Sequence, residues 1–467
     1  MIPGAKKFAE NEFVVNLLSV FCCLFAFSPL EPIRLNAEDW TQFRGNARDG
    51  KSEETGIKDW TAAPPKWIGT IKGAGEGFAS LCVVDGLVYT TGNSDSTQFV
   101  VCLDLDGEKE LWRKNILDAL PNHAVAGSRS TPTYDDGLLY VVSSDGQIVC
   151  LDSRKNGEIV WKKSFQKDFD GRLMSGWGYS ESPLVDGDKV IVTPGGPQAM
   201  VVALHKKTGE TIWKTELDES RSPENNHGTV LRFGAGYSSL LKIEDNGLQP
   251  QYVAFVGTGL VGLDAENGKV LWQDHQSANR TANICMPVFE SYTPPDEDKT
   301  GVPSRRIVYS SSSRGGTSVL DLQKVNNGTR ASQKKLWKTD NHCCHHGGMI
   351  LHDQHLFFAS GKVSGSPTCL SIESSKVKWG GSFRGPGRGP AAVLYVDNKI
   401  IFRYQNGVVA MIAANGNKYQ PLGHFRQKSK SNNRSWAYPV IVGKKLLLRE
   451  NDEIMVYQLA AVTEESP

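Results

Sequence analysis

Residues Asn341 to Gly348 read NHCCHHGG, which puts three histidines and two adjacent cysteines into five consecutive positions ahead of a glycine pair. Imidazole and thiolate are ligands for zinc and other transition metals, and neighbouring thiols can also cycle between dithiol and disulfide. Geometry limits both chemistries. Successive side chains of an extended chain point to opposite faces, so four consecutive residues cannot close a tetrahedron, and zinc ligand pairs normally have two to four residues between them. At most, alternate members such as Cys344 and His346 share one ion, with the remaining ligands supplied from elsewhere. The same residues can equally begin a strand, so their role depends on the elements that position them.

Those elements are expected to be β. Gly 47 and Trp 11, with 39% hydrophobic residues in 467, suit a turn-rich all-β chain, because helix interiors tolerate that much glycine poorly. The balance of 52 Lys+Arg against 51 Asp+Glu leaves no global field to attract nucleic acid or an anionic membrane, so partners must be recognised locally. At the N-terminus, Lys6 and Lys7 precede an uncharged, largely apolar run from Phe13 to Ser28, and small Ala37 stands before Glu38-Asp39. That run is shorter than the roughly 20 residues of a spanning helix. Residues 1–37 are therefore expected to be a secretory signal peptide cut after Ala37, the mature chain to be periplasmic or secreted, and no other segment to enter a membrane. Bulky Phe21 makes lipidation at Cys22 or Cys23 a poor alternative. The cysteines that remain are odd in number and lack paired spacing, which is not a disulfide framework.

An internal repeat organises the rest. VVCLDLDGEKELW (Val100 to Trp112), IVCLDSRKNGEIVW (Ile148 to Trp161), VVALHKKTGETIW (Val201 to Trp213), LVGLDAENGKVLW (Leu260 to Trp272) and PTCLSIESSKVKW (Pro367 to Trp379) share a small residue, Leu, a polar turn and a closing Trp. Diverged copies run from Ser318 to Trp337 and from Val408 to Phe425. Each copy has the pattern of a β-hairpin, and upstream of most lies a second, as in YDDGLLYVVS (Tyr134 to Ser143). Two hairpins make a four-stranded blade, and such sheets recurring every 40 to 60 residues or so make a propeller. Seven blades are countable, and an eighth, from Ser435 to Leu459, lacks an outer strand that PPKWIGTI (Pro64 to Ile71) can supply. Residues 38–467 are thus expected to form one domain, an eight-bladed β-propeller of four-stranded antiparallel blades closed by the N-terminal strand. Insertions such as TPPDEDKTGVPS (Thr293 to Ser304) are expected to be solvated loops.

Within this ring NHCCHHGG leads into an innermost strand beside the central channel. The equivalent lead-ins of other blades hold Arg129, Glu181, Asn283, Arg388 and Trp436. Converging on one channel mouth with His345 and His346, they form the best small-molecule or metal site in the sequence. The regular repeat residues have simpler roles. Cys102, Cys150 and Cys369 fill a small-residue position, Trp67, Trp112, Trp161, Trp213, Trp272, Trp337 and Trp379 pack blades, and Asp104, Asp152 and Asp264 hydrogen-bond their own turns.

The Leu-Asp, turn-Gly, strand-Trp unit resembles the tryptophan-docking repeat of the quinoprotein dehydrogenase superfamily, which includes pyrroloquinoline quinone (PQQ) enzymes and BamB-like scaffolds. WTQFRGNARDG (Trp40 to Gly50), GWGYSESPLVDGDKVIVTPGG (Gly176 to Gly196), HHGG and WAYPVI (Trp436 to Ile441) are similar to stretches of bacterial secreted PQQ-binding-like propeller proteins. The resemblance implies a quinone, polarised by Arg129 or Arg388 and stacked on Trp436, with calcium held by Glu181 and Asn283. It also raises a Cys343–Cys344 vicinal disulfide. No residue matches the catalytic aspartate, and the absence of CxxCH argues against a covalently attached haem. Two functions stay open: an envelope scaffold binding a protein or carbohydrate ligand, and a PQQ-dependent dehydrogenase of alcohols or sugars. Metal-assisted chemistry at His345 and His346 is a weaker third.

Overall fold

The structure, a computed structural model, describes Met1 and residues 39–459 apart from 124, 221, 294–303, 313–314, 326–327, 375 and 382, with backbone alone for the rest of 324–337. The expected leader with Cys22, Cys23 and Ala37, most of the Thr293 to Ser304 insertion, and the side chain of Trp337 lie outside the described residues.

Eight antiparallel sheets follow one another as blades over 82–115, 133–164, 184–215, 241–274, 288–339, 344–380, 391–426 and 440–458. The eighth contributes three strands of its own, and Lys66–Lys72 pairs antiparallel with Glu453–Gln458 as its fourth. This closure joins the two ends of the ring by giving the eighth blade its outer strand from the start of the propeller. Tight turns connect first and second strands through paired positive-φ residues, as at Asp85-Gly86 (φ 50° and 74°) and Asp136-Gly137 (φ 45° and 79°). A two-residue hairpin turn of this hand needs that conformation at both positions, which accounts for the recurring Asp-Gly.

The repeat positions have a geometric basis. Cys102, Cys150, Ala203, Gly262 and Cys369 each pair directly across the ladder with the closing Trp of the same blade. A Cβ on Gly262 would lie 2.1 Å from the Trp272 ring, so the position must be small. Trp112, Trp161 and Trp213 cover Gly157, Gly209 and Gly268 in the turns of the following blades, and Trp161 Nε1 and Trp379 Nε1 donate to Lys206 O and Asn415 O there. Asp104, Asp152 and Asp264 accept backbone amides of their own turns.

One feature exceeds the repeat. The WTQFRGNARDG segment is an arm laid across the ring. Trp40 exchanges backbone hydrogen bonds with Val83 of the first blade, and Lys51–Ser52 runs parallel to Tyr395 and Val396 of the seventh. Between them Arg48, buried, donates to Ser182 O, Pro183 O and Leu240 O of the third and fourth lead-ins. Arg44 donates to Met349 O of the sixth blade at 2.5 Å. Gly348 has φ 77°, and a Cβ there would lie 2.1 Å from Arg44 Nη1. The second glycine of NHCCHHGG thus makes room for the arm.

Candidate functional site

The lead-ins surround a cavity of about 340 Å3 at one mouth of the channel. It draws on the first six blades and the eighth, and Phe43 of the arm forms part of its wall, 5.0 Å from the Tyr438 ring. Three cationic side chains line it: Arg129, Lys362 and Arg434. Among the described residues no Asp or Glu does. The aromatic lining is continuous from His345 to His346 (5.1 Å), on to Trp436 (4.5 Å) and then to Phe78 (5.2 Å), with the Arg434 guanidinium 4.7 Å over the Trp436 ring. Trp177 and Tyr237 complete it on the other side.

The histidines reach the cavity by a route that strict alternation does not allow. Cys344 pairs with Ser360 and the next paired residue is Met349, opposite Phe358, so residues 345–348 bulge out of the ladder. The bulge presents His345 and His346 to the cavity together, while Cys344 turns into the buried packing of the fifth and sixth blades. The expected sharing of one ion by Cys344 and His346 is corrected accordingly. Burial, together with Lys362 and Arg434, pushes His345 down to about 4, and burial, His345 and Arg434 hold His346 well below the usual imidazole range. Both rings are therefore neutral at pH 7. His345 Nδ1 bonds Ser312 Oγ at 2.9 Å, whereas His346 Nδ1 has no partner.

Arg129, His345, His346 and Trp436 thus meet at one cavity, and the other expected residues lie elsewhere. Trp436 is fixed by its Nε1, which donates to Gln405 Oε1 at 2.8 Å. Arg129 donates through Nη2 to Val125 O and keeps a buried Nη1 without a partner; burial lowers its pKa. Arg388 is exposed and off the cavity wall. Asn283 is fully buried, with Oδ1 accepting the Asn279 amide and Nδ2 donating to Val256 O. Glu181 is buried too. Its Oε1 accepts the Thr193 amide at 2.6 Å, and burial raises its pKa to about 7 despite Thr193 and Arg48. Neither Glu181 nor Asn283 lines the cavity, and among the described residues no group of three His, Cys, Asp or Glu is arranged to hold a metal ion.

The fit of a calcium-held quinone can be judged from this donor set. Calcium takes six to eight oxygen ligands, carboxylates prominent among them, and the described wall offers cations, imidazoles, amides and hydroxyls instead. The residues present do not fit the metal. They do suit a planar, negatively charged group. Sequence reasoning missed Lys362, which sits in a turn, and Arg434, although Arg434 stands two positions before the expected Trp436. Phe43 was inside a recognised motif, but nothing in its spacing tells that the arm crosses the ring.

The family described as outer membrane protein assembly factor BamB matches residues 96–381. Comparison with curated protein sequences finds no match. Among solved structures, the fold is similar to the quinohemoprotein alcohol dehydrogenase of Comamonas testosteroni at 13% identity, over 92% of this chain and 82% of that one, with a TM-score of 0.61. A europium-containing methanol dehydrogenase shares 14% identity over 88% of this chain and 89% of its own, with a TM-score of 0.62. BamB from Moraxella catarrhalis shares 13% over 85% and 98%, with a TM-score of 0.55. At such identities the likeness is one of fold.

Proposed function

Because the chain belongs to the family described as outer membrane protein assembly factor BamB, we propose that it is a binding scaffold of the bacterial cell envelope, periplasmic or secreted, whose channel-mouth cavity takes an anionic, aromatic-rich group presented by a protein partner. One observation carries this reading: Arg129, Lys362 and Arg434 share the cavity with six Phe, Tyr and Trp rings, two neutral imidazoles and, among the described residues, no carboxylate. Cations left without counter-charges in a recess attract an anion, and rigid aromatic walls add contact area at small entropic cost. Arg129, His345, His346 and Trp436 are the proposed ligand contacts. A leader that directs export is part of the same proposal. No described helix is long and apolar enough to cross a membrane.

The second reading, a PQQ-dependent dehydrogenase of alcohols or sugars, is favoured by the fold and by Arg129 and Trp436 at the mouth. It lacks a base. A general base works best with a pKa near the operating pH, whereas His345 and His346 are pushed far below it and Glu181 lies off the cavity. Protein mixed with PQQ and calcium is expected to reduce no artificial electron acceptor on a panel of alcohols and sugars. Reduction that disappears in Glu181→Ala would establish the dehydrogenase instead.

A further inference from the structure

Behind the cavity wall, Cys285 of the fifth lead-in and Cys344 of the sixth blade bring their sulfurs to 2.6 Å. Both are buried, at 0% and 1% exposure, in an apolar cluster with Val288, Val308, Met349 and Phe358. Carbon atoms in non-bonded contact sit at about 3.5–4.0 Å and sulfur is larger, so this pair sits closer than non-bonded packing would place it. The positions are pinned as well. The Cys344 amide donates to Ser310 Oγ at 2.8 Å, and the Cys285 carbonyl accepts from Ser238 Oγ at 3.4 Å. Cys343 is half-buried and accepts the Gly361 amide through its carbonyl, and burial, then the nearby Cys285, raise its thiol pKa. The remaining described cysteines, Cys82, Cys102, Cys150 and Cys369, are buried within other blades or at other positions of the sixth.

We propose that Cys285 and Cys344 form a disulfide that staples the fifth blade to the sixth behind the cavity, leaving Cys343 as a free thiol. Two S–H bonds break and one S–S bond forms. Two electrons and two protons pass to a disulfide-bearing oxidant, a thiol–disulfide oxidoreductase or oxidised glutathione, which opens to two thiols. The sulfurs are sealed in the finished ring, so the exchange takes place as the two blades close during folding. Ile284 and Met286 beside Cys285, and His345 beside Cys344, all line the cavity, so the bond ties two of its walls together. The proposal does not depend on what the cavity binds.

The test is a disulfide map of the full chain refolded with oxidised glutathione, denatured without reductant, alkylated and digested. The expected result is one cross-linked peptide pair joining Cys285 to Cys344, with Cys22, Cys23, Cys82, Cys102, Cys150, Cys343 and Cys369 alkylated. Alkylation of both Cys285 and Cys344, or a bridge from either one to Cys343, would overturn the proposal. A second readout is the thermal midpoint of oxidised against reduced protein. The bridge closes a loop across 59 positions of sequence, and the oxidised form is expected to melt higher by on the order of 5 °C. That difference should persist in Cys343→Ser and vanish in Cys285→Ser; a difference that survives Cys285→Ser counts against the bridge. Should Cys285→Ser fail to fold, the wild-type map alone decides.

Discussion

Arg48 and Arg129 are both guanidinium groups set among the lead-ins of the ring, and they differ in where their donors go. Arg48 spends Nε, Nη1 and Nη2 on the Leu240, Pro183 and Ser182 carbonyls and on Gln42 Oε1. Arg403 and Arg449 are fully buried in the same manner, on Ala437 O, Gln427 and Glu450 in one case and on Ala74 O, Gly75 O and Ala79 O in the other. Arg129 borders the open cavity and keeps Nη1 unpartnered. A buried cation with every nitrogen engaged holds the fold together, while one with an unpartnered nitrogen beside a recess is suited to a ligand. Substitution separates the two roles.

The largest effect is expected for Arg48→Ala, which strips three lead-in carbonyls of a charged donor. Breaking such a buried network costs about 3–5 kcal/mol, measurable by denaturant unfolding. A loss near zero would mean the arm merely rests on the ring. Glu181 comes next. Its folded pKa of about 7 stands above the ordinary carboxylate value, so the folded state holds its proton more tightly and stability falls as pH rises from about 4.5 through 7. Glu181→Gln is expected to abolish that decline and to gain up to about 3 kcal/mol above pH 7, read from unfolding curves at several pH values.

Arg129→Ala belongs to the other side of the comparison. It should change stability by less than about 1 kcal/mol, while weakening an anionic aromatic ligand at least tenfold, about 1.4 kcal/mol. At neutral pH the smallest effect is expected at His345. Its folded pKa of about 4 lies below the ordinary imidazole value, so its contribution is complete above about pH 6.5 and is lost as pH falls through 4. His345→Gln should flatten that acid limb of the stability profile; an unchanged limb would show that the ring titrates as if in water.

The blades were legible because each is written in local sequence. Asp-Gly turns, the small residue opposite Trp, and the Asp that caps its own turn recur often enough to count seven blades, and the lone Trp67 strand completes the eighth and closes the circle. The site was legible in part. Spacing identified the lead-ins that converge, which is how Arg129, His345, His346 and Trp436 were found. It did not tell which side chains face the cavity, since a bulge over residues 345–348 breaks the two-residue period, Asn283 spends its amide on backbone, and Glu181 is buried with Oε1 on the Thr193 amide and Oε2 without a partner. The arm's path and the meeting of Cys285 with Cys344 are contacts between distant segments, for which no local pattern exists.

The central claim is that the cavity recognises an anion through cations and aromatic rings without a metal. The most direct measurement is a titration of the purified protein with PQQ, used as a planar tricarboxylate probe, following tryptophan fluorescence with and without calcium in the wild type, Arg129→Ala and Glu181→Gln. Saturable quenching that is indifferent to calcium, at least tenfold weaker in Arg129→Ala and unchanged in Glu181→Gln, is the predicted result. Binding that requires calcium and is lost in Glu181→Gln, or that ignores Arg129, would contradict it.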